Sequence, residues 1–312
     1  MEKLHKITEY FKEVETTREH NGYFCSVGEA PAIAIQGTFC GLRNMKQIQQ
    51  WASNARISEF SREKFNINKV PCYYWLLSLL SLISLISLIN PKSLNECFVR
   101  WVESLLPEGV KGYTVSFDGK TIRSTGKMSH YKSPLHIVSA HIAELGLAFG
   151  QEAVCDKSNE IPAVRELIAM LNLEGCMVAA DALNCQKETA KVIIEQKADC
   201  LLNVKDNHEG LKEDIETYVQ DEDLRLEMDT AETLEKNRGR IERRVAFATP
   251  NIGWIYNGKE WVNLSCIGAI KRTATAADGV TNEWHYFISS RNLTAQDLLK
   301  HARFEWSAET MH

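Results

Sequence analysis

Two runs, "CMVAAD" at 176–181 and "CLLNV" at 200–204, most constrain what this chain can become. Each is almost continuously apolar, the pattern of a strand covered on both faces. Between them lies "QKETAKVIIEQK", which reads as a helix. A strand, helix, strand unit with strands of this kind implies a parallel pair in an α/β sheet. Ligands of such sheets gather beyond the carboxyl ends of the strands, and Asp181 and Lys205 stand at those ends.

The rest of the chain arranges itself around this unit. In "YTVSFD", Tyr113, Val115 and Phe117 alternate with Thr114, Ser116 and Asp118, which predicts a strand ending on Asp118 with that carboxylate on its polar side. "HIVSAHIAEL" and "LAFGQEAV" flank Gly146 as a hairpin does. "IPAVRELIAML" follows as an amphipathic helix with Pro162 at its tolerant start. Residues 1–108 read as helical segments, and Pro107-Glu108-Gly109 breaks them, so the expected division is a helical N-terminal region and an α/β domain over 109–312. Within that domain, about 222–285 turns acidic, then basic, then β-like, as an insertion with a returning strand. A final helix over "TAQDLLKHARFEWSAETMH" takes Thr294 as its N-cap.

Composition sets limits on function. With 44% apolar and 25% charged residues in 312, the chain has ordinary globular usage. Its nine cysteines form no C-x-x-C pair and no zinc quartet, which argues against a structural zinc or a disulfide framework and for reduced thiols in the cytoplasm. The N-terminus lacks the apolar core of a signal peptide. "YYWLLSLLSLISLISLINP", 73–91, carries no charge and approaches the length of a membrane span, but it reads as a buried helix ended by Asn90-Pro91. A net charge of −5 argues against a nucleic-acid partner unless basic residues cluster.

The acidic residues form a candidate constellation. Counting about 100° per residue from Leu298, Glu309 falls at about 20° and Glu305 at about −20°, both on the apolar face of the last helix. A carboxylate there needs a partner, and on geometry alone the two compete. Either one could instead pair with Lys205 or Arg123. Asp118, Asp181 and a glutamate brought together repel one another unless a divalent cation joins them. Mg2+ takes such oxygen ligands, and two such ions suit in-line phosphodiester displacement.

These motifs, in their order, resemble one family: the insertion-sequence transposases associated with H-repeats and Rhs elements, the ISAs-one family of the DDE transposase superfamily. "FDGKTIRST" resembles its first-aspartate motif, "AADALNCQKETA" the second, and "NVKDNHEGL" the following strand segment. "NRGRIERR" resembles its basic block, with Arg238 where the family has histidine, and "HYFISS" through "FEWSAETMH" resembles the stretch with the catalytic glutamate. The resemblance implies an RNase H-like catalytic domain with a β-rich insertion. It implies Asp118, Asp181 and Glu309 as catalytic ligands of Mg2+, with Mn2+ as a substitute, and it selects Glu309 over Glu305. Lys120, Arg123, Lys205 and Asn207 would lie near the site, and Arg238, Arg240, Arg243 and Arg244 would form a positive cluster for DNA. The implied activity is cleavage of double-stranded DNA at element ends and strand transfer into target DNA, by a cytoplasmic homo-oligomer assembled on DNA with no membrane attachment and with the helical region recognising the ends. Family members continue past the glutamate, whereas this sequence stops three residues later. The alternative is therefore a C-terminally truncated remnant that binds DNA without cutting it.

Overall fold

The computed structural model describes residues 7–16, 27–80, 89–106, 108–123, 125, 134–154, 160–237, 240–276 and 279–308. The chain divides into two compact units, Met1–Pro107 and Glu108–His312. Among the described residues no helix is long and apolar enough to cross a membrane.

The first unit is helical: α1 (Ile7–Phe11), α2 (Glu29–Phe39), α3 (Met45–Ala52), α4 (Ala55–Phe65), α5 (Tyr73–Leu80) and α6 (Pro91–Leu105). Asparagines open three of them. The side chains of Asn44, Asn54 and Asn90 accept backbone N–H groups at the starts of α3, α4 and α6, satisfying donors that a first turn leaves bare. Asn90-Pro91 therefore begins a helix. Proline is welcome at the first helical position because its missing N–H is unneeded there, and asparagine before it supplies the cap. Of the uncharged stretch, α5 accounts for 73–80, while 81–88 lie outside the described residues. Phe11, Ile33, Ile48, Leu76 and Trp101 are fully buried and form this unit's interior.

Among the described residues of the second unit, nine strands form one mixed sheet in the order β3-β2-β1-β4-β5-β9-β8-β7-β6. They are β1 (Thr114–Ile122), β2 (Leu135–Ile142), β3 (Leu147–Val154), β4 (Met177–Ala180), β5 (Asp199–Val204), β6 (Asp229–Asn237), β7 (Arg240–Thr249), β8 (Cys266–Ala276) and β9 (Gly279–Ser289). The interleaved helices are α7 (Glu160–Met170), α8 (Lys187–Glu195), α9 (Glu209–Gln220), α10 (Glu222–Leu226) and α11 (Ala295–Ala308). As the apolar runs require, β1, β4 and β5 are parallel neighbours. The hairpin of β2 and β3 turns at Gly146, whose left-handed φ of 59° glycine adopts without steric cost. The inserted strands are no separate layer, because β9 returns antiparallel beside β5 and β8, β7 and β6 continue the sheet.

One face of this sheet carries α11. Leu298, Leu299 and Ala302 bury themselves with Met177, Leu201, Ala246, Cys266 and Phe287. Gly268 on β8 admits the helix: a Cβ at that position would collide with Leu298. The seven cysteines among the described residues are free thiols.

Candidate active site

Parallel register brings the two aspartates together. Thr114, Val115 and Ser116 pair with Met177, Val178 and Ala179. Continued along both chains, that register sets Asp118 level with Asp181. In-register neighbours on parallel strands look out on the same face, with backbones about 4.8 Å apart. Asp118 does not end its strand as alternation suggested. β1 runs on to Ile122, held over these residues by β2, whereas β4 stops at Ala180. The parallel pairing ends at Ser116 and Ala179, just ahead of both aspartates, so Asp118 and Asp181 stand where the sheet opens.

The residues after Asp118 divide their work between two faces. Alternation puts Lys120 with Asp118 and puts Gly119 and Thr121 behind them. A Cβ on Gly119 would lie 2.6 Å from the carboxyl carbon of Glu160. The buried Glu160 holds His136 Nε2 at 2.9 Å, and His136 Nδ1 contacts Thr121 Oγ1 at 2.9 Å. Glycine and threonine in "DGKT" are thus explained by the buried, hydrogen-bonded His136 and Glu160 backing the strand.

Asp181 is fixed by its own loop. Its Oδ1 accepts from Asn184 N at 3.1 Å and Asn184 Nδ2 at 3.0 Å. Asn207 Nδ2 donates to the Ala182 carbonyl at 2.7 Å, and His208 Nε2 meets the Cys185 carbonyl at 2.6 Å while its ring stands 5.1 Å from that of Trp261. Asn207 therefore holds the backbone beside Asp181. Lys205, just past β5, and Lys120 are exposed, and alternation places both on the carboxylate face, one step further toward the open end. Arg123 is exposed in the turn after β1.

Helix α11 reaches the same face. Thr294 caps it, accepting from Asp297 N at 3.1 Å. His301 Nδ1 lies 2.8 Å from Thr114 Oγ1, which donates to Glu144 Oε1 at 2.8 Å. The threonine proton being used, His301 must donate from Nδ1, leaving Nε2 to accept from Arg291 at 3.3 Å. Burial, then the Arg291 charge, push the His301 pKa down to about 4. One turn on, Glu305 is buried, 7% exposed. Glu309 and Arg238 lie outside the described residues.

The arginines of β7 are mostly matched by acids. Arg243 forms a two-pronged pair with Glu232 at 2.6 and 2.7 Å. Arg244 is buried between Glu242 and Glu235, and Glu242 also binds Arg272 at 2.8 Å. Arg240 is exposed at the start of the strand.

No three His, Cys, Asp or Glu side chains among the described residues group closely enough to hold a metal ion. The oxygens around the aspartates nevertheless suit a hard divalent cation. Ser116 Oγ, on the carboxylate face of β1, Asn184 Oδ1, beside Asp181, and Asn203 Oδ1, on the next strand, are all buried without a hydrogen-bond partner. Sequence reasoning missed all three residues. The one signal was a polar residue breaking the apolar run "CLLNV".

Known proteins resemble this arrangement of sequence. No family model matches the chain. The "H repeat-associated putative transposase YhhI" of Escherichia coli (strain K12) is 31% identical over 230 residues, 71% of this chain and 60% of that protein. The "Putative transposase YncI" of the same strain is 34% identical over 171 residues, 53% of this chain and 67% of its own length. The chain belongs to this transposase family. Among solved structures, a piggyBac transposase synaptic complex with hairpin DNA aligns with 98% of this chain and 66% of its own, at a TM-score of 0.44 and 10% identity. As a member of the transposase family, the chain spans about 60% of the length of YhhI.

Proposed function

We propose that the second unit is an RNase H-like nuclease and strand-transfer domain, in which Asp118, Asp181 and Glu309 bind Mg2+ or Mn2+ and act on DNA. The order β3-β2-β1-β4-β5, with β2 antiparallel to its neighbours and β1, β4 and β5 parallel, supports the fold assignment. The observation that carries the activity is the parallel register of β1 and β4, which, continued past Ser116 and Ala179, sets Asp118 level with Asp181 on one face. When bound, the cations would polarise the scissile phosphate and lower the cost of charge on the attacking and departing oxygens.

The chain's own groups supply the rest. Asn184 and the Asn207-anchored loop hold Asp181 in one orientation. Lys120 and Lys205 meet phosphate as point charges on either side of the acids, with Arg123 and Arg240 further out along the bound duplex. No side chain need form a covalent intermediate. The helical unit would recognise element ends, and a homo-oligomer would hold two ends together.

The test is cleavage of labelled element-end DNA by purified protein with and without Mg2+. Wild type should cut only with the cation, and Asp118→Asn and Asp181→Asn should bind the DNA yet fail to cut. Cutting by either variant at the wild-type rate sinks the proposal. Specific binding without cleavage by wild type, in Mg2+ or Mn2+, identifies a binding remnant instead.

A further inference from the structure

Asn203 occupies a place where the fold asks for an apolar residue. It stands in β5, paired with Phe287 of β9, and is 4% exposed. Cys200, Leu201, Leu202 and Val204 around it are all buried and apolar. Its Oδ1 is buried and has no hydrogen-bond partner. An amide oxygen taken from water without compensation destabilises a fold, whereas leucine in the same space would not. The penalty is borne at one particular spot. Ala179 pairs with Leu201 and Ala180 with Leu202, so the next step of that register sets Asp181 level with Asn203, again about 4.8 Å away between backbones. Leu201 and Met177 both pack beneath α11, and alternation from each places Asn203 and Asp181 on that same face. Asp118, Asp181 and Asn203 therefore form one row across three adjacent strands.

We propose that Asn203 is a further oxygen donor of this site, its side-chain carbonyl converging with the Asp181 carboxylate on one divalent cation. This rests on reading Asp118 and Asp181 as metal ligands. Side-chain amide oxygens are ordinary ligands of hard cations. A neutral donor also suits the position. A third carboxylate in the row would repel the other two before the cation arrived, and would cancel charge that the cation needs to attract phosphate. The oxygen left bare inside the protein gains its partner on cation binding, which accounts for retaining asparagine in an apolar strand. Ser116 Oγ, two residues before Asp118, and Asn184 Oδ1, in the loop after Asp181, are likewise buried without a hydrogen-bond partner.

Mn2+ titration of the full chain, read by the electron paramagnetic resonance signal of the free ion, tests this without DNA or turnover. Asn203→Leu should weaken Mn2+ binding about 10-fold or more, the scale on which metal sites respond to losing a supporting group, and should melt higher than wild type in the presence of chelator. Asn203→Asp, which keeps an oxygen in place, should bind Mn2+ at least as tightly as wild type. If Asn203→Leu does not fold, as judged by circular dichroism, Asn203→Ala removes the same oxygen with less crowding. Wild-type affinity in the leucine or alanine variant, alongside lost affinity in Asp181→Asn, overturns the assignment of Asn203 and leaves the acid pair standing. Wild-type affinity in Asp118→Asn and Asp181→Asn as well removes the site itself.

Discussion

At the scale of single residues, His301 shows how a neutral side chain is held at the junction of α11 and β1. Its Nδ1 proton goes to Thr114, and its Nε2 lone pair takes an Arg291 N–H. Adding a proton would break the second contact and set two cations side by side. Burial and Arg291 accordingly lower its pKa from 6.5 to about 4. The sign of the stability effect follows. Above pH 6.5 neither folded nor unfolded chain carries the proton, and the full stability of this junction is present. Between about pH 6.5 and 4 the unfolded chain takes up a proton that the folded one refuses, so stability falls steadily as pH falls. Denaturant melts from pH 8 to pH 4 should show this loss in wild type. The slope across that window should be shallower in His301→Gln, which cannot titrate.

At the scale of elements, α11 depends on its fit to β8. Leu298 fills the space that Gly268 leaves open, within the cluster shared with Met177 and Phe287. Leu298→Ala empties a fully packed position, so a loss of about 2–5 kcal/mol is expected in urea unfolding. Elements like this were legible in sequence where a local pattern sufficed. The almost continuous apolar runs of β4 and β5, the alternation that starts β1, Gly146 between β2 and β3, and Thr294 before α11 each state their structure within a few residues. What escaped was set by partners distant in sequence. The length of β1 beyond Asp118 comes from β2 continuing beside it after β4 has stopped, which no window around 118 contains. Asn90-Pro91 signals a helix boundary in either direction, and only the cap contacts to Lys92 and Ser93 fix it as a start. In the site, Asp118, Asp181, Lys120 and Lys205 could be named from strand ends and motif. Asn203, Asn184 and the His136–Glu160 pair could not, since their roles rest on register and on the packing of α7.

At the scale of the whole molecule, a net charge of −5 must be reconciled with a polyanionic partner. Total charge decides little, because affinity for DNA follows the number of phosphates neutralised locally. The sheet offers two kinds of cation. Arg243, Arg244 and Arg272 are each committed to a carboxylate. Burial would push the Glu242 carboxyl up, yet Arg272 and Arg244 hold it below the ordinary glutamate range, so this lattice remains charged and internally balanced at neutral pH. A phosphate approaching it would have to displace an existing partner. Lys120, Arg123, Lys205 and Arg240 are exposed and make no ion pair among the described residues, so they can release counterions at no such cost. Under the proposed DNA engagement, Lys205→Ala should weaken binding at every sequence tested and make the dependence of log affinity on log salt shallower by about 1. Arg244→Ala should leave that slope unchanged while lowering the melting temperature, since it leaves the buried Glu242 with Arg272 alone of its two arginine partners. Fluorescence anisotropy across a salt series, paired with thermal melts, separates the two. A slope that responds to Arg244 and not to Lys205 would move the DNA path away from the aspartates and onto the inserted strands.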